Sequence, residues 1–190
     1  MRSAVIFDLD GTLTVPCLDF DAIRAEIGLP PGPILEALER LSNAARQRAL
    51  QILDRHEREA AENSKLQEGA AQTVHRLRER GFGVGILTRN TRKWTEFVLA
   101  KHGVSVDALR CRDDGTVKPA AEPVLRLCAD LDADPSQTWV VGDHLFDLLA
   151  GAGAGAHTVL MRGDRQAPEY AAQADHVIGR LEELLTFIKI

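Results

Sequence analysis

Apolar residues along this chain follow two rhythms. In the first, they run without a polar break: Ala4-Val5-Ile6-Phe7, Phe82-Gly83-Val84-Gly85-Ile86-Leu87-Thr88, Thr138-Trp139-Val140-Val141-Gly142 and His157-Thr158-Val159-Leu160-Met161. Such runs predict strands buried on both faces, as in a parallel sheet. Val104–Arg110 and His176–Ile178 are weaker strand candidates. In the second rhythm, apolar residues recur every three or four positions, which predicts amphipathic helices. Asp19 caps one carrying Phe20, Ile23 and Ile27, and Gly28 stops it. Ile34, Leu35, Leu38 and Leu41 form the next face. Val74 and Leu77 turn inward over Ala70–Arg80, which Gly81 ends. A helix over Thr91–His102 stops at Gly103, and Pro123 opens another with Val124, Leu127 and Leu131. Leu181, Leu184, Leu185 and Ile188 outline a closing helix within Asp175–Ile190.

Strands and helices alternate except over one stretch. From Val15 to Lys65 no strand pattern occurs. There Ser42 caps a long helix in which Ala45, Ala49, Leu53 and His56 stand neutral among charges, and Arg55–Glu62 is expected to be a solvated face. Residues 15–65 are therefore expected to be a helical insertion, and 1–14 with 66–190 an α/β core with helices on both faces of a parallel sheet. The run Gly151-Ala152-Gly153-Ala154-Gly155-Ala156 directly precedes a strand, which favours a helix end packed hard on the sheet over a flexible linker.

Composition narrows the function without naming it. The length of 190 residues suits one core with a small insertion. No apolar run approaches the ~20 residues that a membrane span needs. The net charge of −5, with both signs interleaved, does not suggest a nucleic-acid surface. Cys17, Cys111 and Cys128 form no CxxC pair and are expected to be free thiols in a reducing cytoplasm.

The chemistry lies where strands are predicted to end. Ala4–Phe7 runs into Asp8-Leu9-Asp10-Gly11-Thr12. Buried carboxylates need a compensating charge, and two residues along a strand place both side chains on one side, about 7 Å apart. Open parallel sheets bind ligands beyond the carboxyl ends of their strands. Asp8 and Asp10 are thus placed to hold a hard divalent cation such as Mg2+. Gly11 permits a tight turn, and Thr12 adds a hydroxyl and an N–H. Three further clusters stand at comparable places: Thr88, followed by Arg89 and Asn90; Lys118-Pro119, leading into a helix; and Asp143 with Asp147.

In this order the four clusters resemble the motifs of the haloacid dehalogenase (HAD) superfamily, over nearly the whole chain. Asp8–Thr12 looks like its first motif, Leu87-Thr88 its second, Lys118-Pro119 its third and Gly142–Asp147 its fourth. An insertion between the first two motifs is similar to the helical cap of phosphoglycolate-phosphatase-like members, although shorter. Glu68 stands where a proline commonly precedes the glycine. The resemblance implies a Rossmann-like, HAD-like sheet with a small helical cap and a Mg2+-dependent phosphatase acting on a small phosphomonoester. It assigns nucleophilic attack to Asp8 and proton transfer to Asp10. It gives Mg2+ to Asp8, Asp143 and the carbonyl of Asp10, and phosphoryl binding to Gly11, Thr12, Thr88 and Lys118. Asp147 would orient Lys118 or metal-bound water. Arg89 and Asn90 either cap the next helix or touch substrate. A phosphomutase would use the same carboxylates, and a non-catalytic protein could keep the fold.

Overall fold

The unbroken apolar runs become the middle of a six-stranded, all-parallel sheet in a computed structural model that describes residues 1–188. In chain order the elements are β1 (Arg2–Phe7), α1 (Phe20–Ile27), α2 (Ile34–Leu38), α3 (Asn43–Asn63), α4 (Ala70–Glu79), β2 (Gly83–Leu87), α5 (Arg92–Lys101) and β3 (Ala108–Arg110). They continue with α6 (Glu122–Asp130), β4 (Ala133–Gly142), α7 (Leu145–Gly153), β5 (His157–Met161), β6 (His176–Ile178) and α8 (Leu184–Phe187). The strands lie in the order β3-β2-β1-β4-β5-β6. The chain builds outward from β1 on one side, then crosses back to start β4 on the other. Val5 pairs with Val84 of β2 and with Trp139 of β4. The carboxyl ends of β1 and β4 therefore flank the point where the winding direction reverses, which is where open α/β sheets form a crevice.

Alternate residues of β1 feed two cores. Val5 and Phe7 pack with Leu77, Phe82, Val98 and Leu184 on one face, and Ala4 and Ile6 with Val124, Leu127, Leu131 and Ala150 on the other. The glycine–alanine run belongs to α7 and its cap. A Cβ on Gly151 would come within 2.9 Å of Thr158 Cγ2 and 3.0 Å of Val140 Cβ, so the helix lies closer to the sheet than a side chain allows. A third, separate apolar cluster joins Ile23, Ile34, Leu38, Ala49 and Leu53, all from α1–α3. Among the described residues, no helix is long and apolar enough to cross a membrane.

Several boundaries depart from expectation. β1 stops at Phe7, so Asp8 and Asp10 do not share a strand face. The carbonyl of Leu9 instead accepts the N–H groups of Leu13 (3.0 Å) and Thr14 (2.9 Å), which curls the chain into a turn. The second helix spans only Ile34–Leu38, squeezed between Pro33 and the cap at Ser42, and leaves Leu41 outside it. The strand expected from Val104 begins at Ala108, and the one expected from Thr138 begins at Ala133. Lys118 lies in a turn, four residues before α6 begins. The closing helix is a 3-10 turn over Leu181–Glu183 followed by the single turn of α8. Its expected continuation to Ile190 includes Lys189 and Ile190, which lie outside the described residues.

Candidate active site

Asp8 follows β1 and Asp143 follows β4, so the reversal in winding brings together carboxylates 135 positions apart. Between them sits Gly11, with φ +86°. That conformation suits glycine, and a Cβ there would stand 2.3 Å from Asp143 Oδ2. The third carboxylate, Asp147, lies in the first turn of α7. It accepts the backbone N–H of His144 at 3.0 Å, while His144 Nδ1 accepts the N–H of Phe146, which makes His144 a helix cap. Lys118, 3% exposed, donates from Nζ to Asp8 Oδ1 at 2.6 Å and also to Asp147. One carboxylate oxygen each from Asp8, Asp143 and Asp147 lie within 4.8 Å of one another.

Charge in this cluster does not balance. Three carboxylates face one buried ammonium and the half-exposed guanidinium of Arg165, which donates to Asp143 Oδ2 at 3.0 Å. Burial pushes the Asp8 carboxyl up to about 8; Lys118 pulls it down, and Asp147 and Asp143 push it further up. Burial, then Asp147, raises Asp143 as well. Burial alone would lower Lys118, but Asp147 and Asp8 outweigh it and the ammonium is held. An all-oxygen donor set with surplus negative charge fits a hard divalent cation such as Mg2+.

Asp10 stands apart from the three. Its carboxylate accepts the N–H of Cys17 at 3.3 Å. Burial lifts its pKa to about 6, with the Cys17 N–H opposing and Asp143 adding to the rise. Thr12 is fully buried, and its hydroxyl has no hydrogen-bond partner among the described residues. Thr88 is buried, and its Oγ1 accepts the Asn90 N–H at 3.2 Å. A cavity of about 670 Å3 opens over Asp8, Asp10 and Thr88 and reaches Leu35 and Leu53 of α2 and α3, while Gly11 and Thr12 do not line it. Asp8, Asp10, Thr88, Arg89, Asn90, Lys118, Asp143 and Asp147 all line it. Arg89 is already engaged: it donates to both carboxylate oxygens of Glu36 (2.9 and 2.7 Å) and to the Lys118 carbonyl, and stacks 4.8 Å from the Phe146 ring centroid.

Residues 3–155 match the sequence profile of the haloacid dehalogenase-like hydrolases. The chain belongs to this family. An Arabidopsis thaliana protein named for its haloacid dehalogenase-like hydrolase domain is 32% identical over 83% of this chain and 69% of its own. The N-acetylmuramic acid 6-phosphate phosphatase of Pseudomonas aeruginosa is 30% identical over 87% of this chain and 84% of its own. The crystal structure of a predicted phosphoglycolate phosphatase from Haemophilus somnus superposes with a TM-score of 0.79, over 99% of this chain and 98% of that one, at 19% identity.

In this haloacid dehalogenase-like hydrolase, sequence reasoning overlooked Glu36, Glu57, Arg112, Arg165 and Tyr170, all in or beside the cavity. The run Arg55–Glu62 is not wholly a solvated face. Glu57 is 3% exposed and pairs with Arg112 Nη1 at 2.6 Å. A signal existed in the phase of α3, where Ala49, Leu53, Glu57 and Ala61 form one buried stripe at intervals of four. His56, expected on that face, instead meets Glu26 at 2.8 Å.

Proposed function

We propose that this protein is a Mg2+-dependent phosphatase that hydrolyses a small organic phosphomonoester through an aspartyl phosphate on Asp8. The carrying observation is the unbalanced cluster of Asp8, Asp143 and Asp147 around Lys118, at the reversal point of the sheet, with Asp10 beside it. Mg2+, held by Asp8, Asp143 and the carbonyl of Asp10, would supply positive charge against which two anions can meet. Lys118 occupies Oδ1 of Asp8, which leaves Oδ2 to attack phosphorus while the ester P–O bond breaks. Asp10 gives its proton to the departing oxygen. In the second half Asp10 takes a proton from water, whose oxygen attacks phosphorus. The bond to Asp8 breaks, and inorganic phosphate leaves. Lys118 and the Thr88 hydroxyl, which line the cavity, receive the phosphoryl oxygens, whereas the N–H groups of Gly11 and Thr12, expected to share this role, already donate to the carbonyls of Thr14 (3.0 Å) and Leu9 (3.3 Å). Asp147 orients Lys118.

The cavity is larger than phosphate alone requires and has apolar walls on α2 and α3, which supports an organic leaving group. The relative named for a sugar phosphate supports the same substrate size. Residues 15–65, with their own apolar cluster, would act as the cap over a core made of 1–14 and 66–190, in a reducing cytoplasm that suits three free thiols.

The test is rapid-quench labelling with a 32P-phosphate ester and Mg2+. Wild type should yield an acid-stable, hydroxylamine-sensitive phosphoenzyme, and Asp8→Asn should yield none, with turnover abolished. Label on Asp8→Asn, or undiminished turnover in EDTA, would overturn the assignment.

A further inference from the structure

We infer that Glu57, on α3, is a positioning residue for phosphoryl binding: it grips the loop after β2 so that the Thr88 hydroxyl keeps its proton for the phosphoryl oxygens. The inference rests on the phosphatase reading above and adds a residue from the helical segment to it.

A carboxylate as buried as Glu57 persists only when its oxygens are saturated. Glu57 Oε2 accepts the Thr91 N–H (3.3 Å), the Thr91 hydroxyl (3.1 Å) and Arg112 Nη2 (3.3 Å), while Oε1 accepts Arg112 Nη1 (2.6 Å). The same Nη1 donates to the Arg89 carbonyl at 3.1 Å. The backbone of β3 and its following turn anchor the start and middle of the loop Thr88–Thr91, where the Thr88 N–H donates to the Arg110 carbonyl and the Arg112 N–H to the Asn90 carbonyl, both at 3.0 Å; the Arg112 side chain adds the Arg89 carbonyl, and Glu57 holds the loop's far end at the N–H and hydroxyl of Thr91. The residue between, Asn90, donates its N–H to Thr88 Oγ1. A hydroxyl has one proton and two acceptor sites. With one acceptor site taken by Asn90, the Thr88 proton is aimed elsewhere, and Thr88 shares the cavity with Asp8 and Lys118.

Docking of α3 does not depend on Glu57 alone. Trp94 Nε1 donates to Asp54 at 2.7 Å, and Lys101 Nζ caps the helix end at the carbonyls of Glu62 (2.7 Å) and Ser64 (3.0 Å). Loss of the Glu57 charge should therefore appear in phosphate binding rather than in detachment of the helix.

The decisive experiment is a double-mutant cycle of Glu57→Gln with Thr88→Ala. Its readouts are the affinity for inorganic phosphate in the presence of Mg2+, by calorimetry, and KM and kcat for p-nitrophenyl phosphate. Losing one oriented hydrogen bond should weaken phosphate binding by about three- to tenfold. KM should rise by the same factor. In the Thr88→Ala background the same substitution should cost less than about twofold, because coupled residues are not additive. Thr91→Val, which removes one partner of Glu57 and keeps its shape, should behave in the same Thr88-dependent way if Glu57→Gln fails to fold. Equal losses in both backgrounds, or full phosphate affinity in Glu57→Gln, would overturn the inference. A wild type that binds phosphate but hydrolyses no ester would overturn the phosphatase reading and leave this coupling measurable. One that binds no phosphate would overturn both.

Discussion

Two buried ionic clusters face the same cavity, and they are built on opposite terms. Around Lys118, the carboxylates of Asp8, Asp143 and Asp147 outnumber the cations that reach them. Around Glu57, a single carboxylate is saturated by Arg112 and Thr91, and Arg89 beside it is matched by Glu36 through Nη2. The first arrangement holds surplus charge in a desolvated place, which raises carboxyl pKa values and invites a cation. The second needs nothing added. Surplus charge therefore marks a site that awaits a ligand, and balance marks a site that holds the chain in place. The first cluster gathers groups from three strand-following loops and α7. The second ties α2 and α3 to the loops after β2 and β3.

Asp10 offers the largest test of this contrast within the first cluster. As the proposed proton carrier, Asp10→Asn should lower turnover by about 10²–10⁴-fold for an alkyl phosphate, the usual range for acid–base help. The loss should shrink for a nitrophenyl ester, whose leaving group needs little protonation. Steady-state rates for the two ester classes decide the matter. Equal losses for both would remove Asp10 from the acid's role.

Much of the first cluster is legible in the sequence, because a parallel sheet sends its functional side chains to one edge and the unbroken apolar runs mark where that edge lies. Asp8, Thr88 and Asp143 each follow such a run directly. Asp147 follows Asp143 by one helical turn. Lys118 follows no unbroken apolar run, only the short β3 eight residues earlier, and is legible only through its place in the order of motifs. The turn geometry of Asp8–Thr14 was hidden, since nothing in Phe7-Asp8-Leu9-Asp10 shows that the strand ends before the first carboxylate. The second cluster was hidden for a different reason. In Arg55–Glu62 the charged composition masks the helical phase, yet the burial of Glu57 follows from its four-residue spacing with Leu53 and Ala61. Arg165 and Tyr170 sit in a segment with no periodicity. Only the fold brings them to Asp143, where Tyr170 donates its hydroxyl to the backbone carbonyl at 3.2 Å.

Metal should act on the first cluster alone, and the raised carboxyls give the effect a pH sign. A carboxyl whose folded pKa exceeds its ordinary value favours the folded state when protonated. For Asp8, raised to about 8, that contribution is complete below the ordinary carboxylate range and is lost as pH rises toward 8. Mg2+ must displace those protons, so it should stabilise the protein more at pH 8 than at pH 5.5. At ~100 times its Kd, a ligand adds about 2.7 kcal/mol, and each kcal/mol moves Tm by about 2–4 °C in a chain of this size. Thermal melts in Mg2+ and in EDTA should therefore separate by several degrees at pH 8 and by much less at pH 5.5. Asp143→Asn should abolish the separation. An equal shift at both pH values would mean that the ion binds elsewhere.

The smallest expected effect lies at the outer edge of the second cluster. A single Arg89 nitrogen, Nη2, reaches both oxygens of Glu36, and the Glu36 side chain is 39% exposed, against 2% for Glu57. Ion pairs in such wet places are worth about 0–1 kcal/mol and weaken as salt screens them. Glu36→Gln should therefore lower stability by no more than about 1 kcal/mol, a Tm change of about 2–4 °C at most, and the difference should fade in ~0.5 M NaCl, where the Debye length is only a few ångströms. Arg89 would keep its bond to the Lys118 carbonyl and its place over Phe146, so the cavity wall should survive the substitution. Glu57→Gln, measured alongside, should cost more and should respond less to salt, because its partners are shielded from solvent. The paired measurement is chemical denaturation of both variants at low and high salt. If Glu36→Gln proves as costly as Glu57→Gln and as indifferent to salt, then burial does not separate the two pairs, and the distinction between a fixed inner grip and a loose outer clasp fails.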